Sequence, residues 1–169
     1  HEAGLVQDLR SLAGTLSGAS FQEEGCVVIY DQDHTEMTYA AVEQLSYRFA
    51  SVVLVSPRDR IASDCSLINR QKIYTRLHER RVRLVTCSEL RSMDGIEDAR
   101  LTLYNLYNSE PTMVENVACV TYAVSRRPND QLAQALQDKV AQVFTVGDAF
   151  APRSLMAATQ QGFRLGNTL

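Results

Sequence analysis

The strongest chemical signal in the sequence is Val143-Phe144-Thr145-Val146-Gly147-Asp148-Ala149-Phe150-Ala151-Pro152-Arg153. A β-branched run ends in Gly-Asp, and a proline suited to the first turn of a helix follows. Gly147 permits the close approach of a backbone to a ligand. Asp148, at the carboxyl end of the expected strand, is placed to accept hydrogen bonds from ribose or ribityl hydroxyls. The free amides at the start of the next helix face a phosphate, with Arg153 near enough to help. Gly147, Asp148, Ala149 and Arg153 are therefore the candidate cofactor-binding residues. The same residues also make a tight turn with an aspartate cap. No residue stands out as catalytic or as a metal ligand.

A second constellation, Tyr30-Asp31-Gln32-Asp33-His34-Thr35-Glu36, follows the first apolar strand. This is where a dinucleotide-binding domain places glycines, so that its backbone can approach a pyrophosphate. Here there is no glycine, and Asp31, Asp33 and Glu36 put like charge where phosphates would lie. Carboxylates with an imidazole also suit a metal ion. The reading preferred is an acidic helix start, with Asp33 as the cap and Glu36 favoured by the helix dipole. Arg58 and Arg60 stand where a ribose 2′-phosphate is sometimes held, but without the glycine loop they read as solvated loop charges. His78, beside Glu79-Arg80-Arg81, reads as surface.

The four cysteines, Cys26, Cys65, Cys87 and Cys119, are scattered without the short pair spacing of zinc or iron–sulfur sites. Three of them lie in or beside apolar runs, as free thiols do in a reducing cytoplasm.

The elements that must position these groups alternate. Cys26–Tyr30, Val52–Val55 and Val82–Val85 read as buried strands. Between them, Met37, Ala41, Leu45 and Phe49 draw one helical stripe, and Leu67, Ile73, Tyr74 and Leu77 a second. That β-α-β-α-β order is the unit of a parallel sheet. Leu101–Tyr107 alternates with period two after the turn residues Asp94-Gly95, which predicts an antiparallel meander. Beyond Pro111 come strands at Val117–Val124 and Val143–Val146, a short helix through Leu132, Leu136 and Val140, and a helix from Ala151 to about Leu165. The expected fold is α/β: a three-layer Rossmann-like fold, mainly parallel, with the meander inserted. The first twenty residues read as a linker or docking segment.

At 169 residues, 45% hydrophobic and 22% charged, the chain has the composition of a globular protein with its own core. A net charge of −3 gives no general attraction to nucleic acid or to an anionic membrane. No apolar run is long enough to span a bilayer, and the start shows no signal-peptide pattern. The expected location is cytoplasmic.

The segments VVIYDQDHTEM, VVLVSPRDR, NRQKIYTRLHERRVRLVT, SRRPND and VFTVGDAFAPRSLMAATQQGFRLGNTL together resemble a known family. It is the NADH:flavin oxidoreductases of the trimethylamine dehydrogenase and 2,4-dienoyl-CoA reductase type, in their C-terminal part. Such enzymes join an old-yellow-enzyme barrel, carrying FMN and an iron–sulfur cluster, to a pair of dinucleotide-binding domains. The resemblance covers nearly everything after residue 21, and it implies a degenerate YDxD loop in place of the glycine motif. It divides the chain into a segment 1–20, a degenerate NAD(P)-binding-like domain 21–110, and returning strands and a C-terminal helix of an FAD- or ADP-binding-like domain, 111–169. The usual glycine before Arg126-Arg127-Pro128 is Ser125. No barrel, cluster motif or glycine-rich first strand is present, and His1-Glu2 opens the chain without a methionine. The expectation is a piece of a larger amine dehydrogenase or N-demethylase, structural and cofactor-holding rather than catalytic. FMN, the cluster and FAD or ADP would belong to the parent, with none in the isolated chain. Its apolar surface would be covered by the rest of the parent or by self-association. The competing reading is a free-standing Rossmann-like interaction module without nucleotide.

The loop chemistry makes a direct expectation. Calorimetric titration with NADH or NADPH should show no binding tighter than about 1 mM, near −4 kcal/mol. A micromolar constant that weakens on substitution within 31–35 would overturn it.

Overall fold

The computed structural model describes residues 6–18 and 22–168. The chain divides into two compact units, one ending at Val124 and one beginning at Ser125.

The first unit opens with helix α1 (Leu9–Leu16), capped by Asp8, whose carboxylate accepts the amides of Arg10 and Ser11. Strand β1 (Glu23–Asp31), helix α2 (Glu36–Leu45), strand β2 (Phe49–Val55), helix α3 (Leu67–Glu79) and strand β3 (Arg83–Val85) follow. Next come strands β4 (Ser88–Leu90), β5 (Leu101–Asn105), β6 (Pro111–Val114) and β7 (Val117–Ala123). The first sheet has the order β3-β2-β1-β7, and all its pairings are parallel. The strands β4-β5-β6 form a separate antiparallel meander.

β1 explains the layering. Its side chains alternate between the two faces of the sheet. Val27 and Ile29 pack with Leu9, Tyr39, Val42, Leu45 and Leu77 of the helices. Cys26 and Val28 pack with Leu101, Leu103 and Val114 of the meander. Helices, parallel sheet and meander are thus three layers around two cores, and β1 reads as an unbroken apolar run because both its faces are covered.

Several expectations shift. The buried stripe of α2 is Thr38, Tyr39, Ala41, Val42 and Leu45: Ala41 and Leu45 stand where expected, but Met37 is 66% exposed, and Phe49, though buried, already belongs to β2. Of the first twenty residues, expected to be a linker or docking segment, 1–5 and 19–20 lie outside the described residues, and the rest carries a docked helix with Leu9, Leu12, Ala13 and Leu16 in the core. Val117–Val124, which the resemblance assigns to another sheet, was expected to find cover by joining the main sheet or by self-association; Val117–Ala123 joins it, lying beside β1 in register from Val27↔Cys119 to Asp31↔Ala123. The boundary drawn at 110/111 therefore cuts a meander that packs as one layer.

The second unit contains helix α4 (Gln131–Leu136), a single 3-10 turn (Gly147–Ala149) and helix α5 (Leu155–Gly166). Val143–Val146 forms no strand. Its sequence suits one, but a strand requires a hydrogen-bonding neighbour, and the described residues of this unit supply none. None of those residues is buried; Leu132, Phe144, Phe150, Leu155, Met156 and Phe163 are all half or more exposed.

Gly25 tests the sheet. A Cβ built there would lie 2.4 Å from the Ala118 Cβ on β7 and 3.1 Å from the Asn116 carbonyl oxygen. Gly25→Ala should destabilise the fold by about 1–3 kcal/mol in urea unfolding. Adding Ala118→Gly should restore most of the loss, and failure of that rescue would place the strain elsewhere.

Candidate functional site

In an open α/β sheet, ligands bind outside the carboxyl ends of the strands where the strand order reverses, here between β1 and β7. In this chain, that position is filled by its own side chains. Asp31 ends β1 fully buried. One of its oxygens accepts the amides of Asp33 and His34, both at 3.0 Å. The other accepts the Tyr39 hydroxyl from α2 at 2.7 Å. The Tyr39 oxygen in turn accepts the amide of Ala62, in the loop after β2. Asp33 Oδ2 accepts the hydroxyls of Thr35 and Thr38 and lies 3.3 Å from the Arg10 guanidinium. The Gln32 amide donates to the Ala123 carbonyl at 2.7 Å, which ties the loop to β7.

These contacts correct the capping expectation. The N-cap of α2 is Thr35, whose side chain makes no cap bond, and Asp33 spends its carboxylate on hydroxyls and Arg10. Glu36 stands in the first turn of α2 as expected, where it also accepts from the Asn69 side chain. Burial pushes the Tyr39 hydroxyl far above the usual phenol range, with Asp31 adding to the effect. Burial also holds the His34 imidazole below its ordinary value, against the pull of the Asp31 carboxylate. Among the described residues, no three His, Cys, Asp or Glu side chains are grouped to hold a metal ion.

The remaining candidates of this unit are accounted for. Arg58 lies 3.3 Å from Asp64, and Arg60 3.9 Å from Asp59, all well exposed. The four cysteines are free thiols. His78 is exposed and stacks near Tyr74. An apolar groove of about 390 Å³, lined by Tyr30, Leu90, Met93 and Val120 among others, runs between the parallel sheet and the meander. No helix among the described residues is long and apolar enough to cross a membrane.

In the second unit, Gly147, Asp148 and Ala149 form one 3-10 turn. Gly147 has φ +62, and a Cβ there would sit 3.4 Å from the Ala158 Cβ of α5. Its amide donates to the Gln161 side chain at 2.8 Å. Arg126 joins the turn to the start of α5, with one nitrogen 3.5 Å from Asp148 Oδ2 and another donating to the Arg153 carbonyl at 3.0 Å. Asp148 and Arg153 are both exposed. The helix begins at Leu155 rather than near Pro152, because Ser154 caps it by accepting the Ala157 amide. Sequence reasoning missed Tyr39, Arg126 and Gln161. A polar tip on the inner stripe of α2 marked Tyr39; nothing local marked the other two.

No protein-family model matches the chain, and no curated protein sequence matches it significantly. Solved structures do. Histamine dehydrogenase from Rhizobium sp. 4-9 superposes with a TM-score of 0.77 at 21% identity, over 92% of this chain and 23% of that one. The 6-hydroxypseudooxynicotine amine oxidase from Pseudomonas geniculata N1 gives 0.80 at 17%, over 98% of this chain and 24% of that one. The thioredoxin reductase of T. acidophilum gives 0.63 at 14%, over 88% and 52%. The fold is thus a Rossmann-like α/β fold, and the chain spans about a quarter of the length of the first two enzymes.

Tyr39→Phe leaves Asp31 and the Ala62 amide each one partner short. It should cost about 1–3 kcal/mol, a fall in Tm of some 2–12 °C. A melting temperature within 1 °C of wild type would show that water replaces the hydroxyl.

Proposed function

We propose that the chain is a nucleotide-binding-like domain of a larger flavin-dependent oxidoreductase, of the trimethylamine dehydrogenase and 2,4-dienoyl-CoA reductase type and its amine dehydrogenase or N-demethylase branch. The observation that carries this reading is the likeness to two amine-processing enzymes over more than nine-tenths of this chain but less than a quarter of their length. The exposed apolar side chains after Ser125, with an unpaired β-branched run among them, support a surface covered by the rest of such a protein.

In this reading the chemistry belongs to FMN and an iron–sulfur cluster held elsewhere in the parent, and this chain positions and holds. The end of β1 does not fit a dinucleotide, because Asp31 and Asp33 occupy it with negative charge. The turn after Val146 fits an FAD or ADP hydroxyl better. Asp148 offers an exposed carboxylate, Gly147 holds the left-handed turn, Ala149 closes it, and Arg126 and Arg153 bring positive charge near a phosphate.

The isolated chain, supplied with FMN, FAD and NADH, should not reduce an artificial acceptor; robust turnover would overturn the assignment. In the parent protein, Asp148→Ala should weaken retention of the adenine cofactor about ten- to a hundred-fold, the value of a hydrogen bond to a charged acceptor. Asp148→Asn should cost less, since one acceptor oxygen remains. Equal cofactor content at limiting cofactor would reduce Asp148 to a partner of Arg126.

A further inference from the structure

His34 is the one described residue with a buried side-chain polar atom that lacks a partner. Its ring is fully buried, and Nε2 has no hydrogen bond. The residue adopts a left-handed backbone with φ 55, a conformation in which histidine is tolerated but not favoured. Its Nδ1 lies 3.6 Å from Asp31 Oδ2 and 3.5 Å from the Tyr39 hydroxyl. Its carbonyl faces the Cys65 thiol at 3.6 Å. His34 therefore links two segments, 31–35 and 61–65, that are joined by hydrogen bonds through Tyr39, Ala62 and Cys65. Ala62 also holds a left-handed φ of 54, so its loop is strained as well.

We propose that His34 is the acid-labile pin of a latch that closes the carboxyl end of the parallel sheet. Protonation of its ring undoes the Asp31–Tyr39–Ala62 connection and lets residues 31–35 and 61–65 open. The inference is independent of the flavoenzyme reading, since it concerns only the first unit.

A neutral imidazole needs one acceptor for its single N–H, which the Asp31 and Tyr39 side can supply. An imidazolium carries two N–H groups, and the second points into a site that offers no acceptor. A buried unpaired donor on a charged ring is costly enough to drive the ring to water. Nδ1 lies against both Asp31 and Tyr39, and the His34 amide itself donates to Asp31 at 3.0 Å, so a movement of the residue that carries the ring outward acts on the carboxylate that Tyr39 links to Ala62. The charges facing it come from every neighbouring element. Asp31 and Asp33 on its own loop and Asp64 beyond β2 favour protonation, while Arg58 opposes it; Tyr39 on α2 and Cys65 are neutral. Arg10 on α1 partly offsets Asp33. Burial outweighs the carboxylates and depresses the histidine. A histidine depressed in the closed state binds fewer protons there than in the open one. Closure is then fully stabilised above the ordinary imidazole value of about 6.5 and is lost as pH falls below it.

Hydrogen exchange followed by mass spectrometry tests the latch, with rates corrected for intrinsic pH dependence. Between pH 7.5 and 5.0, amides in 31–35 and 61–65 should lose at least tenfold protection, while those of 26–30 and 52–55 stay protected. In His34→Asn, which suits a left-handed backbone, that acid response should vanish. Unchanged protection of both loops down to pH 5.0, loss only together with the strands, or the same response in the variant would each overturn the proposal. If the variant does not fold, wild-type NMR decides. The His34 ring should titrate below 6.5 together with the Ala62 and Cys65 amides, and a ring that titrates without them would sink the latch.

Discussion

Asp31 ends the central strand as a carboxylate that has lost its water, and the carboxyl end of the sheet is built to replace it. Two amides of its own loop and the Tyr39 hydroxyl are the replacement donors. A buried carboxylate without such donors would cost several kcal/mol. The demand fixes the loop as an Asx-type turn, fixes the rotation of α2 so that Tyr39 points inward, and recruits the loop after β2 through Ala62. The inner stripe of α2 therefore follows Tyr39 rather than Met37. Helix phase is here set by a hydrogen bond as much as by apolar surface.

The parallel strands and the meander were legible because their signals are local. β1 and β2 are continuous β-branched runs, and Leu101 and Leu103 alternate with polar neighbours in β5. What a strand pairs with is not local. Val117–Ala123 and Val143–Val146 carry the same type of run, yet the first is the fourth strand of the sheet and the second pairs with nothing among the described residues. Composition cannot separate them, because ladder partners come from distant residues. The capping error around Asp33 has a similar cause. The carboxylate sits at the right spacing for a cap, but Thr38 and Arg10, the latter from α1, compete for it and win.

The two candidate sites differ in how sequence reports on them. The acidic loop shows in its sequence the lack of pyrophosphate-site glycines, while the partners that engage its carboxylates, Tyr39, Thr38 and Arg10, come from outside it. The Gly-Asp turn was visible as a motif, but its organiser was not. Arg126 reaches it from about twenty residues upstream by clasping both Asp148 and the Arg153 carbonyl. A guanidinium with five fixed donors is suited to joining two such acceptors, which a lysine would not do as well.

The position of β7 has a kinetic consequence. Its register pairs Val28 with Val120, so the ladder joins segments separated by nearly the whole first unit. Closing a loop of about 90 residues costs entropy before any pairing repays it, and parallel pairing of distant segments slows folding. During synthesis, β1, β2 and β3 can assemble as the chain emerges, but one edge of β1 stays bare until the meander and β7 have appeared. That edge is apolar on both faces, the kind that templates association between chains. The order of events in time, not the strength of any contact in the finished fold, is thus where this domain is most exposed to going astray.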